Sequence, residues 1–157
     1  AGDHLFNGYW RKPKETAEVL CDDGFLVTGD VGVIDEDGRL YLKGRNTDLI
    51  ISGGENIYPK EIELHLDDIE CVAESAVIGL SDDDLGEKVV AVIVANGIFS
   101  EQKVKDALRN QVADFKFPSE FIIVEELPRN SMGKIQKSKL RDTYNKQGPN
   151  EGESRNR

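Results

Sequence analysis

Between Lys88 and Val94 the chain reads Lys-Val-Val-Ala-Val-Ile-Val, six apolar residues in succession, five of them β-branched. Alternation is missing, so neither face of this segment is meant for water. A short, continuous β-branched run of this kind is the pattern of a central strand. The rest of the chain has to supply the neighbouring strands and the helices that cover it.

The flanking segments supply them. Pro59 suits the first position of a helix, and Ile62, Leu66 and Ile69 follow at i, i+4 and i+7, one apolar face with acidic residues outside. Glu74 to Gly79 reads as a strand, followed by an acidic turn at Ser81-Asp-Asp-Asp84. Residues 101–114 carry a second amphipathic pattern, with Ser100 as N-cap and Val104, Leu108 and Val112 inward. Phe121-Ile-Ile-Val124 is a last short strand. The order from residue 57 is helix, strand, strand, helix, strand. That predicts an α+β domain, a short β-sheet flanked by helices. No internal repeat is present.

The N-terminal part is different. Residues 1–23 are polar, with Tyr9-Trp10 beside Arg11-Lys-Pro-Lys14, and Pro13 predicts a short helix over 13–20. Seven glycines then fall between Gly24 and Gly54, among Val, Ile, Leu and Tyr, which reads as short strands and tight turns. Val31 to Ile34 and Arg39 to Leu42 form a β-hairpin around Asp35-Glu-Asp-Gly38. Residues 147–157 contain no aliphatic side chain and are expected to be a disordered tail.

Composition excludes several classes. With 30 acidic and 20 basic residues, the formal net charge is -10, which argues against a general nucleic-acid binder. No apolar run reaches the roughly 18–20 residues of a membrane span. Two cysteines, Cys21 and Cys71, are too few for a disulfide scaffold or structural zinc site and fit a reducing cytosol, so a cytoplasmic protein is expected. Two histidines leave little for histidine catalysis, and no metal site is expected. The chain starts Ala-Gly-Asp-His, without an initiator Met or the basic and apolar regions of a signal peptide. It reads as a fragment of something longer.

Three segments could carry chemistry. In Leu127-Pro-Arg-Asn-Ser-Met-Gly-Lys134-Ile-Gln-Lys137, a glycine precedes a lysine at the tip of a polar loop. From Arg129 to Lys146 there are six basic residues and one acid, in an otherwise acidic chain. An ammonium so placed suits a phosphate or carboxylate; a solvated basic tail helix is the plainer reading. In Phe25-Leu-Val-Thr-Gly-Asp30, the aspartate could accept hydrogen bonds from a vicinal diol such as a ribose, or simply bond its own turn. In Lys43-Gly-Arg45 through Gly53-Gly54 to Pro59, the paired glycines could bring backbone amides to a ligand, although no Walker loop is present. A hairpin turn and an Arg45–Asp48 surface ion pair are the alternative.

In this order and spacing the three segments resemble the C-terminal part of the adenylate-forming superfamily: acyl-CoA synthetases, firefly-type luciferases and peptide-synthetase adenylation domains. Phe25–Asp30 is similar to the family's Thr-Gly-Asp motif. Gly44-Arg45 through Tyr58-Pro59-Lys-Glu-Ile-Glu63 is similar to its hinge-and-glycine segment, and Pro128–Ile135 to its closing lysine loop. The likeness runs from about residue 6 to about residue 143.

The resemblance implies that residues 1–44 are the tail of a large N-terminal adenylation domain and 45–146 a small, mobile C-terminal lid. It implies an ATP-dependent carboxylate–CoA ligase that forms an acyl-adenylate and then a thioester. Lys134 would be catalytic. Asp30 and Arg45 would hold the nucleotide. Ser52, Gly53 and Gly54 would approach the pantetheine arm of coenzyme A, and Thr47 would be the hinge. ATP, Mg2+ (held mainly by the N-terminal domain), coenzyme A and a small carboxylic acid are the implied ligands. Segments 51–59 and 128–137 look most like malonyl-CoA synthetases. The chain departs from the family at Thr47, usually Asp or Lys. It departs also at Ile51, a lysine in luciferases and coumarate ligases, and at Asn56, an arginine in many acetyl-type synthetases. The rivals are an adenylation domain that loads a carrier protein and a non-catalytic binding module of the same fold. The acidic surface argues against the first, and intact Asp30, Arg45 and Lys134 argue against the second.

Overall fold

A computed structural model describes residues 2–146; the tail expected to be disordered, 147–157, lies outside the described residues. The chain divides into two compact units, Ala1–Thr47 and Asp48–Arg157.

In the first unit, Pro13 opens α1 (Pro13–Val19), where its fixed φ and missing N–H cost nothing. The predicted hairpin follows as β1 (Asp30–Ile34) and β2 (Leu40–Arg45), antiparallel, with Ile34 opposite Leu40 and Asp30 opposite Arg45. Asp35 shapes the turn: its Oδ1 accepts the Arg39 N–H at 2.8 Å, and Gly38 takes the positive φ of 79°. Apolar side chains stand on both faces of this ribbon. Val33 and Tyr41 occupy one, Ile34, Leu40 and Leu42 the other, and all are exposed. Among the described residues of this unit, none is buried.

The second unit begins with β3 (Ile50–Ser52) and β4 (Glu55–Ile57), joined by Gly53-Gly54. Then come α2 (Pro59–Asp67), β5 (Val72–Asp82), β6 (Gly86–Ala95), α3 (Glu101–Leu108), β7 (Glu120–Val124) and α4 (Lys137–Asn145). The apolar run is the sheet's centre, as its pattern predicts. β6 pairs antiparallel with β5 along its length. It pairs in parallel with β7 from Val90 to Val94, and meets β3 at Gly86.

Both faces of that strand are covered. Val89, Ala91 and Ile93 pack with Val77 under Ile62 and Leu66 of α2 and Val104 and Leu108 of α3. Val90 and Val92 pack with Ala76, Ile78 and Leu80 under Leu127 and Leu140, so α4 covers the opposite face. Each fully buried Leu, Ile or Val contributes about 1.5–3 kcal/mol by leaving water. The fold is therefore α+β, a small sheet between helices.

Two sequence expectations need correction. The helix expected over 101–114 ends at Leu108, although Ser100 does cap it through the Lys103 N–H. Beyond it the Gln111 and Val112 N–H groups fold back on the Leu108 carbonyl, so turns keep Val112 in the core without a helix. The strand expected over 74–79 spans 11 residues, because β6 gives it partners from Val72 to Asp82.

Candidate functional site

The chemistry-bearing residues lie in three places. In the first unit, register alone brings Asp30 and Arg45 together: they are partners at the open end of the β1–β2 ladder. Arg45 Nη1 donates to Asp30 Oδ1 at 2.7 Å and to the Thr28 carbonyl at 3.0 Å. The Asp30 N–H is in turn held by Thr28 Oγ1 at 3.1 Å. The bond from Arg45 is the main reason that the Asp30 carboxyl sits below its ordinary value; partial desolvation works against it, and Thr28 adds to it. Asp30 is thus kept as a carboxylate, an acceptor only, whose outer lone pairs suit hydroxyl donors. In the second unit, Asp48 faces Arg141, at 3.7 Å. Thr47, the residue matched to the hinge, sits in the short 3-10 turn Asn46–Asp48, at the last position of the first unit.

The paired glycines form the two-residue turn between β3 and β4, with φ of 58° at Gly53 and 85° at Gly54. Positive φ at both positions is what a tight hairpin with right-handed twist needs, and only glycine takes it without strain. The Gly53 N–H donates to the Leu85 carbonyl at 2.9 Å. It is therefore committed to the fold, and the pair does not present two open amides as an anion nest would. What the turn does present is a flank without side chains, with nothing near the Cβ position of Gly54 and only Leu85 near that of Gly53. Ser52 is buried beneath it.

The lysine loop is the most ordered of the three. Its root is closed by the Arg129–Ile135 bridge and by the Gln136 N–H on the Pro128 carbonyl at 2.7 Å. Inside, Asn130 does most of the shaping. Its Oδ1 accepts the N–H groups of Met132 and Lys134, both at 2.9 Å, and its own N–H bonds the Lys134 carbonyl. Gly133, at φ 78°, makes the reversal. Arg129 braces the loop from outside, with Nη1 on the Gly133 carbonyl at 2.7 Å and Nη2 on Glu74 of β5 at 2.6 Å. The backbone under Lys134 is tied at every turn, whereas its side chain is exposed and makes no hydrogen bond or ion pair with the described residues. A long, mobile ammonium on a fixed base can reach an anion outside its own unit.

Sequence reasoning missed Asn130 and Arg129 as shaping residues. An Asn three positions before a glycine was the available signal for the first. The basic run is not simply a solvated tail helix either, since Lys137 is largely buried against Glu63. Among the described residues, no group of three or more His, Cys, Asp or Glu side chains is placed to hold a metal ion, and no helix is long and apolar enough to cross a membrane.

Residues 61–134 match the family of AMP-binding enzyme C-terminal domains. The chain is 46% identical over 143 residues to a 2-succinylbenzoate–CoA ligase of Listeria innocua, covering 91% of the chain and 30% of that protein. It is 44% identical to the long-chain-fatty-acid–CoA ligase FadD13 of Mycobacterium tuberculosis, covering 90% of the chain and 28% of the relative. The crystal structure of ATP-bound MatB from Rhodopseudomonas palustris superposes with a TM-score of 0.83 at 49% identity, over 92% of this chain and 29% of that one. The chain thus spans about 30% of the length of the curated relatives it matches.

Proposed function

We propose that this chain, whose residues 61–134 match the family of AMP-binding enzyme C-terminal domains and which is similar to CoA ligases, works as the C-terminal part of an ATP-dependent carboxylate–CoA ligase. One observation carries the reading: the unpartnered Lys134 amine at the tip of a loop fixed by Asn130 and Arg129. The first unit adds support. A two-stranded ribbon that is apolar on both faces needs cover on both, as it would have inside a larger domain. Residues 1–44 are then the tail of a large N-terminal adenylation domain, 45–146 its C-terminal lid, and Thr47 the pivot.

Two steps follow. The acid's carboxylate oxygen attacks the α-phosphorus of ATP, the bond to pyrophosphate breaks, and a mixed acyl–phosphate anhydride forms. The thiol of coenzyme A then attacks the acyl carbon, expelling AMP and giving a thioester. In the first step, two anions meet and charge moves onto the leaving pyrophosphate. Lys134, delivered to that junction, stabilises the charge as it shifts between oxygens, an effect worth several kcal/mol in sites of this kind. Asp30 accepts from the ribose hydroxyls, and Arg45 orients it while reaching the nucleotide. Gly53 and Gly54 give the narrow pantetheine arm a wall without side chains, with Ser52 beneath them. Mg2+ would screen the triphosphate, held mainly by the N-terminal domain.

The acid is malonate or a related short acid, on the likeness of segments 51–59 and 128–137 to malonyl-CoA synthetases. The protein works in the cytoplasm, with both cysteines reduced; it binds no nucleic acid and spans no membrane. The test is acid-dependent exchange between ATP and labelled pyrophosphate by the complete protein, with malonate, 2-succinylbenzoate and a long-chain fatty acid offered in turn. Exchange with malonate that is lost in Lys134→Ala is expected. Exchange undiminished in that variant would overturn the assignment, and preference for another acid would overturn the substrate.

A further inference from the structure

Lys137 is in an unusual position for a lysine. It is the first residue of α4, where the helix dipole is positive and no side chain caps the backbone, and its own side chain is only 14% exposed. A cation here is unfavourable on both counts unless something specific holds it. That partner is Glu63, from the middle of α2, with Oε1 2.6 Å from Lys137 Nζ and a side chain only 8% exposed.

The third member makes the arrangement more than an ion pair. Glu63 Oε1 also accepts the N–H of Val77 at 2.9 Å. Val77 lies on β5, whose only strand partner among the described residues is β6, and this N–H points away from it. Helices α2 and α4 cover opposite faces of the sheet. Glu63 and Lys137 therefore meet around the free edge of β5, one reaching from each face, with a backbone donor of the edge itself between them.

We infer that the Glu63–Lys137 pair is a positioning clamp for Lys134. The lysine loop ends at Gln136, whose N–H closes the loop root on Pro128, and the next residue is the clamped lysine. Fixing Lys137 fixes one end of the loop against α2 and β5. The other end is held to the same strand by Arg129 on Glu74. The loop is thereby tied to β5 at both ends, while its tip is exposed. The clamp also connects the loop to α2, which the three-residue β4 and Tyr58 join to the β3–β4 glycine turn, so the two candidate contact regions of this unit move as one body. The consequence for catalysis rests on the functional reading given above for Lys134; the clamp itself does not.

Amide hydrogen exchange by NMR on the 157-residue chain tests the clamp, comparing the unaltered chain with Lys137→Met, Glu63→Gln and Lys137→Arg. With Lys137→Met, the Met132 and Lys134 amides should exchange roughly tenfold faster or more, while Val90 and Val92 in β6 keep their rates. Lys137→Arg should restore slow exchange in the loop. Should Lys137→Met not fold, Glu63→Gln carries the same comparison, because it keeps an acceptor for Val77 and removes only the charge. Unchanged loop rates, or acceleration of loop and β6 by one common factor, would overturn the inference, the latter showing a merely structural pair. In the complete protein, Lys137→Met should lower kcat of adenylate formation about tenfold at unchanged KM for ATP, sparing thiol attack on supplied adenylate. If Lys134→Ala leaves adenylate formation intact, the functional reading fails alone, and the exchange result still decides the clamp.

Discussion

Arg45 Nη1 stands 2.7 Å from Asp30 Oδ1 across the last rung of the β1–β2 ladder. The bond holds the Asp30 carboxyl below 3.8, its ordinary value. A carboxylate depressed in the folded chain contributes stability above its unfolded pKa, and that contribution is lost as pH falls through the lower, folded one. Carbon NMR of the Asp30 carboxyl should give a midpoint below 3.8, and Arg45→Ala should move it upward. A midpoint at or above the ordinary value in the unaltered chain would contradict the pairing.

Lys134→Ala should separate stability from chemistry. The exposed side chain makes no hydrogen bond or ion pair with the described residues, so urea unfolding of the chain should shift by less than about 0.5 kcal/mol. Adenylate formation by the complete protein should fall by about 10² to 10³, the usual loss when a transition-state charge partner is removed. A large loss of stability would mean that the amine is engaged in the fold.

Asn130→Ala removes the acceptor of two loop amides, and water can replace it at this exposed site. A cost of about 0.5–1.5 kcal/mol is expected, together with slower adenylate formation. Asn130→Asp keeps the acceptor oxygen and should behave nearly as the unaltered protein. Equal damage from both substitutions would show that the Asx geometry is not what shapes the loop.

Leu66 is fully buried on the inner face of α2, and truncation to Ala should cost about 2–5 kcal/mol in urea unfolding. Ile98, at 94% exposure, is the control, and Ile98→Ala should be within about 0.5 kcal/mol of neutral. A neutral Leu66→Ala would place α2 elsewhere.

The 157-residue chain alone should form no acyl-CoA from any acid, because the proposed acid and triphosphate sites belong to the N-terminal domain. Thioester formation detected by mass spectrometry with the purified chain would show that the reacting groups are all within it.

What the residues disclosed beforehand was local. Ile62 and Leu66 announce the buried face of α2 through their spacing, Asp37-Gly38 announces the hairpin turn, and the unbroken apolar run announces the centre of the sheet. Pairings across long separations stayed hidden. Nothing in the pattern joins Arg45 to Asp30, or Glu63 to a lysine 74 positions later, because charge says what could pair and only topology says what meets. The end of α3 was lost for a related reason: Val112 keeps the helical spacing of Val104 and Leu108, but the core reaches it through turns. At the candidate site the residue types were legible and the scaffolding was not. Lys134 stands out by its glycine, whereas the work of Asn130 depends on two backbone hydrogens that have no sequence code of their own.

The outer rim of β5 is stitched shut by a side chain. With the Val77 hydrogen already taken by Glu63, a foreign strand laid along that rim would find a gap in its ladder and an acidic group in its path. Copies of this unit are thereby discouraged from zipping together rim to rim.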